Sequence, residues 1–200
     1  MSDSVSDIVE KFKQWVINPN NPGQPVLPKS SFGGPADRNY SLQGTDGPKT
    51  FLQHEKQTFG INLGWTDHSD KGTEQKVRRW FFAKNGDGPI HYGDVIALAN
   101  GQDPSFLENK KRNVGINLEF SKTPVFEWKI LGGTIGQPVI TGQRVAIFNM
   151  SDGEPLIFFD RTAGGDIGWP SSQTWWDQAE SFGKKALKEA MIEAIKSLLK

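Results

Sequence analysis

Five side chains offer this chain its most readable ligand chemistry: Asn62, Asn117, Asp166, Tyr92 and Trp176. Asn62 and Asn117 each sit in a Gly-Ile-Asn-Leu segment, and Asp166 sits in Gly-Gly-Asp-Ile. In an extended segment alternate residues share a face, so Ile61, Leu63 and Trp65 point one way and Asn62 the other. Ile116, Leu118 and Phe120 oppose Asn117 in the same way. An amide both donates and accepts hydrogen bonds and a carboxylate accepts them, which suits the hydroxyls of a sugar. The same three positions could instead cap turns. Tyr92 and Trp176 lie outside the recurring aromatic positions. Trp176 follows Trp175, and neighbouring strand residues face opposite ways, so the two rings do not share one core. Either ring could stack on the apolar face of a sugar, or simply cover the surface. His54 is a further polar ring of this kind.

Other chemistries find little support. The three histidines, His54, His68 and His91, have neither HxH nor HExxH spacing, so no metal site is expected. There is no GxSxG elbow and no glycine-rich phosphate loop followed by lysine. The absence of cysteine removes thiolate ligands, a Cys nucleophile and disulfides. Asp67, Asp94, Asp152 and Asp160 read as carboxylates of solvated turns. No catalytic residue and no cofactor are therefore expected, and the chain does not read as an enzyme.

The candidate residues sit within a repeat. Leu52, Leu107 and Leu156 each precede an aromatic residue (Trp65, Phe120, Trp169) by the same thirteen positions. Gly60, Gly115 and Gly164 precede those aromatics by five. A tryptophan follows each unit, at Trp80, Trp128 and Trp175. A Gly-x-Pro-apolar step recurs as Gly23-Gln24-Pro25-Val26 and Gly136-Gln137-Pro138-Val139, and in shortened form as Gly88-Pro89-Ile90. Apolar alternation then follows at Tyr40/Leu42, Val95/Ala97/Leu98 and Val145/Ile147/Phe148. Twenty-two glycines and twelve prolines punctuate short apolar runs, a strand-and-turn rhythm. Three units of about four strands predict an all-β fold, a β-trefoil. Propellers typically need four to eight blades.

The units resemble those of the β-trefoil superfamily and, more loosely, ricin-B-like lectins. That family ends each unit with Gln-x-Trp. Gln173-Thr174-Trp175 matches the triplet, whereas Arg78-Arg79-Trp80 and Phe126-Glu127-Trp128 keep only the tryptophan. The resemblance spans roughly residues 23–178 and lacks the disulfides of secreted ricin-type lectins. It implies a lectin-like module recognising carbohydrate or glycoconjugate in shallow pockets, through Asn62, Asn117, Asp166, Tyr92 and Trp176.

Amphipathic helices are expected on both flanks. Val5, Ile8, Val9, Phe12 and Val16 recur at helical spacing within 1–20, ahead of the breakers Asn18-Pro19-Asn20-Asn21-Pro22-Gly23. The trefoil would occupy 21–178, and a lysine-rich helix 179–200. That last helix could lie on an anionic membrane, pack on the domain or pair subunits into a homo-oligomer. A membrane-active, toxin-like protein and a protein-binding cytosolic trefoil are the rival readings. With 23 basic and 23 acidic residues, net charge is zero, which argues against a nucleic-acid partner. The first residues show no signal peptide, so cytoplasmic synthesis is expected, with non-classical release left open.

Overall fold

Among the described residues, ten short strands, each three to six residues long, make up nearly all the regular structure. The computed structural model describes Ser6 and residues 9–10, 12–29, 35–44, 51–54, 63–66, 79–101, 105–110, 118–151 and 155–156. The strands are β1 (Gln14–Ile17), β2 (Ser41–Gln43), β3 (Phe51–His54), β4 (Leu63–Thr66), β5 (Trp80–Lys84), β6 (Val95–Asn100), β7 (Ser105–Asn109), β8 (Leu118–Ser121), β9 (Trp128–Leu131) and β10 (Arg144–Asn149). All pair antiparallel in one sheet, in the order β4-β3-β2-β1-β10-β9-β6-β7-β8, with β5 on β6. The protein is all-β, and the sheet curls. A bridge joins Tyr40, just ahead of β2, to Trp80, at the head of β5, linking two parts of the sheet that are not neighbours in that order.

Trp80-Phe81-Phe82-Ala83 and Val95-Ile96-Ala97-Leu98-Ala99 are bulky or β-branched runs that suit a covered pleated surface. Alternation sorts them. Trp80, Phe82, Ile96 and Leu98 join the main core with Leu42, Leu52, Leu107, Ile130 and Ile147. Phe81, Ala83, Ala97, Ala99 and Phe106 form a second apolar cluster, with Phe81 and Phe106 edge to face at 6.0 Å.

Residues 14–17 correct the expected N-terminal helix. Ser6, Val9 and Glu10 are helical, but the chain turns at Phe12, whose N–H donates to the Val9 carbonyl at 3.1 Å. β1 begins two residues later and carries Val16, which had read as the end of the helical stripe. Trp15, Val16 and Ile17 are strong strand formers, and two partner strands are available to them. Trp15 stands opposite Gln43 of β2 and Arg144 of β10. The lysine-rich segment 179–200 lies outside the described residues.

One contact recurs with the repeat. The Trp80 indole N–H donates to the Leu52 carbonyl at 2.8 Å, and that of Trp128 donates to the Leu107 carbonyl at 2.8 Å. The third repeat leucine, Leu156, receives the Gln14 side-chain amide at 3.0 Å. Both tryptophans and all three leucines are fully buried. Trp175 lies outside the described residues.

A buried carbonyl that loses its donor incurs a desolvation cost of about 1–3 kcal/mol. Trp80→Phe keeps most of the ring volume and removes only the donor. Urea unfolding should show a stability loss of roughly 1–3 kcal/mol for this variant. A neutral result would show that the indole contributes bulk alone.

Candidate functional site

The connections β1–β2, β5–β6 and β9–β10 each contain a Pro-apolar step preceded by glycine, directly in Gly88-Pro89-Ile90 and after one residue in the other two, and they meet at one end of the sheet. There the backbone closes a ring. Val26 N–H donates to Val139 O at 2.8 Å, Val139 N–H to Ile90 O at 2.8 Å, and Ile90 N–H to Val26 O at 2.7 Å. All three side chains are buried. An outer pair of bonds repeats the pattern. Thr141 N–H donates to Gln24 O at 2.9 Å, and Tyr92 N–H to Gln137 O at 3.0 Å. Pro28 stands at the equivalent third position and has no N–H to give.

Clefts lie between these connections. The larger holds about 590 Å³ and is lined by Tyr92, Gly132 to Thr134, Gln137, Gln143, Arg144, Lys13 and Trp15, among others. Tyr92 makes part of its floor. It is 6% exposed, and its hydroxyl lies 3.2 Å from Gln143 Oε1, which also accepts from the Ile140 N–H at 3.2 Å. Gly133 is needed beneath the ring: a Cβ there would stand 2.4 Å from Tyr92 Cε2. Trp15 is 38% exposed because β1 alternation turns it away from the core that Gln14 and Val16 enter. The Arg144 guanidinium sits over its ring, 5.7 Å from the centroid.

Glu10 sets the charge at the rim. It pairs with Lys13 at 2.5 Å and with Arg144. The Lys13 hydrogen bond, helped by Arg144, holds the Glu10 carboxyl below the usual carboxylate range against a weaker opposing effect of burial. The cleft thus presents a half-exposed indole, a phenol anchored to an amide, and a guanidinium. These are means of stacking and hydrogen bonding to a polar ring. Among the described residues, no three His, Cys, Asp or Glu side chains gather as metal ligands.

Of the five candidates read from the sequence, Tyr92 lies in this cleft, as a largely buried floor residue and not as an open platform. Asn62, Asn117, Asp166 and Trp176 fall outside the described residues. His54 lies at the end of β3, its ring 5.6 Å from that of Phe120. Trp15 and Arg144 were missed. The signal was present in Gln14-Trp15-Val16-Ile17, whose period-two reading puts Trp15 opposite Val16, but the helical spacing through Val16 masked it.

Tyr40 and Tyr92 are the chain's two tyrosines, and burial raises both above the ordinary phenol range. For Tyr40, Asp37 adds to the effect, while the Leu27 N–H on its hydroxyl and nearby Arg38 oppose it. Unfolded tyrosines ionise near pH 10 while the folded ones stay neutral, so unfolding releases protons there. These groups should leave stability unchanged below about pH 10 and lower it above. A titration followed at 295 nm should show less than half of the tyrosine ionised at pH 10 in the folded state. Full ionisation of either ring at that pH with the fold intact would contradict its burial.

No family model, curated protein or solved structure matches the chain.

Proposed function

We propose that this chain is a β-trefoil that binds carbohydrate or glycoconjugate and catalyses no reaction. The fold part of the reading is supported by the pairing circuit. β1 pairs with β2, Tyr40 ahead of β2 bridges Trp80 of β5, β5 pairs with β6, β6 with β9, β9 with β10, and β10 with β1. Six strands in a circuit, with β3–β4 and β7–β8 as attached hairpins, support a trefoil barrel with two of its three capping hairpins among the described residues. The three-bonded ring and the threefold recurrence of a donor on Leu52, Leu107 and Leu156 agree with it.

One observation carries the functional part: Trp15 and the Tyr92–Gln143 pair share a single open cleft. The indole offers a stacking surface for the C–H face of a sugar ring. The Gln143 amide, the Tyr92 hydroxyl and Gln137 offer directional contacts to its hydroxyls. An open cleft of this kind gives a weak single site. Clefts elsewhere between connections would raise avidity on a multivalent surface. A fold alone assigns no ligand, so the reading rests on the cleft.

A glycan array on the full chain should return a defined set of sugars. On the best of them, Trp15→Ala should weaken binding at least about tenfold, equivalent to roughly 1.4 kcal/mol. Tyr92→Phe should weaken it by a smaller factor, because one hydroxyl is lost and the ring stays. Circular dichroism should be unchanged for Trp15→Ala, since Trp15 is turned away from the core. Unaltered affinity in both variants, or no sugar bound by the folded protein, would defeat the proposal.

A further inference from the structure

A second cleft, of about 290 Å³, separates the β1–β2 connection from the β5–β6 connection. Three cations line it: Lys29, Arg38 and Lys84. Lys29 is only 4% exposed. Its ammonium donates to Asn39 Oδ1 at 3.3 Å and stands 5.1 Å from the Phe81 ring centroid. No carboxylate lies within ion-pair distance of it among the described residues. A buried ammonium held by an amide and a ring face, with no ion-paired carboxylate among the described residues, is poorly compensated. Burial accordingly lowers its proton affinity, with Asp37 only partly offsetting this.

The other two cations are positioned by backbone. Arg38 donates from Nη1 to the Pro28 carbonyl at 3.0 Å. Lys84 donates to the Pro89 carbonyl at 2.7 Å and to Asp94 Oδ2 at 3.2 Å. Asp94 thus balances Lys84. Asp87 also lines the cleft, while Asp37 is exposed beside Arg38. Gly86 and Gly88 form the opposite wall in left-handed conformations (φ 92° and 85°), and added Cβ atoms there would meet nothing within 4 Å. The wall is therefore open backbone on which a small, highly oxygenated group can sit. Pro28 deserts the outer hydrogen-bond pattern at this same cleft, which keeps the two connections from zipping together.

We propose that this cleft binds a tetrahedral oxyanion, a phosphate or sulfate group, with Lys29 as the buried counter-ion and Arg38 as the fork at its mouth. A guanidinium matches two oxygens of such a group at once, and an ammonium supplies a point charge. The same group can arrive as free phosphate or as a sulfate ester on a sugar. The assignment stands independently of the Trp15 cleft.

Unfolding midpoints and calorimetric titrations test it, with inorganic phosphate against chloride at matched ionic strength. Wild type should gain several degrees in phosphate, saturably. Lys29→Met should unfold no earlier than wild type in chloride, since a buried charge has gone, and should lose the phosphate response. Arg38→Gln should weaken phosphate at least about fivefold, and it decides the matter should Lys29→Met not fold. A parallel titration with a sulfated and an unsulfated disaccharide separates the sources. Binding of the sulfated sugar in competition with phosphate identifies an ester ligand. Binding of phosphate alone identifies the free ion. An equal midpoint in phosphate and chloride, or the same phosphate affinity in wild type and Arg38→Gln, overturns the site. Binding of unsulfated sugar in the Trp15 cleft is scored separately, so either proposal can fail alone.

Discussion

Three backbone hydrogen bonds, passed head to tail among Val26, Ile90 and Val139, govern one whole end of this molecule. Each of these residues buries an apolar side chain, which obliges its own peptide groups to find partners away from water. No two of the three belong to the same connection, so none can be satisfied locally. The ring answers all three demands together. It also explains the company each residue keeps. A proline one position earlier fixes the backbone and offers no donor that would compete. Gly23 and Gly136 supply left-handed turns three residues ahead of Val26 and Val139. The clefts at this end are the spaces left where three chains converge on one small circle. Their walls inherit the rigidity of that circle.

The recurrent donors on Leu52, Leu107 and Leu156 show how far the symmetry extends and where it breaks. Two sectors use an indole, which fills volume and supplies one N–H. The third uses Gln14, brought in from a distant part of the chain. An amide provides the donor with less bulk, and it introduces a second polar atom. Gln14 Oε1 finds no hydrogen-bond partner among the described residues. The third contact is therefore held less economically than the other two.

Much of the architecture was legible because its demands are local. Gly-x-Pro-apolar steps, repeat leucines and following tryptophans have to be those residue types for backbone and packing reasons. Strands β6 and β10 were readable from their apolar alternation for the same reason. β1 was not readable. Val9, Phe12 and Val16 are spaced for a helix, and only the availability of β2 and β10 decides that Val16 belongs to a strand. Tyr92 stood out as a ring outside the repeat, but its burial depends on Gly133, forty-one residues further on, lying against its ring. The union of Trp15 with Arg144 could not be anticipated from spacing, since it arises from the β1–β10 register. Nothing in the sequence around Lys29 marks it as buried. Phe81, from the distant strand β5, is among the groups that enclose it.

The pairing of β1 with β10 and the Gln14–Leu156 bond join residues up to 142 positions apart. On a ribosome adding roughly 5–20 residues per second, the early strand would wait on the order of ten seconds for these partners to be made. Through that interval β1 can pair with β2 along one edge, but the edge that meets β10 stays open, and such an edge invites the wrong neighbour. Nascent chains would thus face their greatest aggregation hazard at the seam that later shuts the wall. A chaperone acting on this protein would have most reason to hold that open edge.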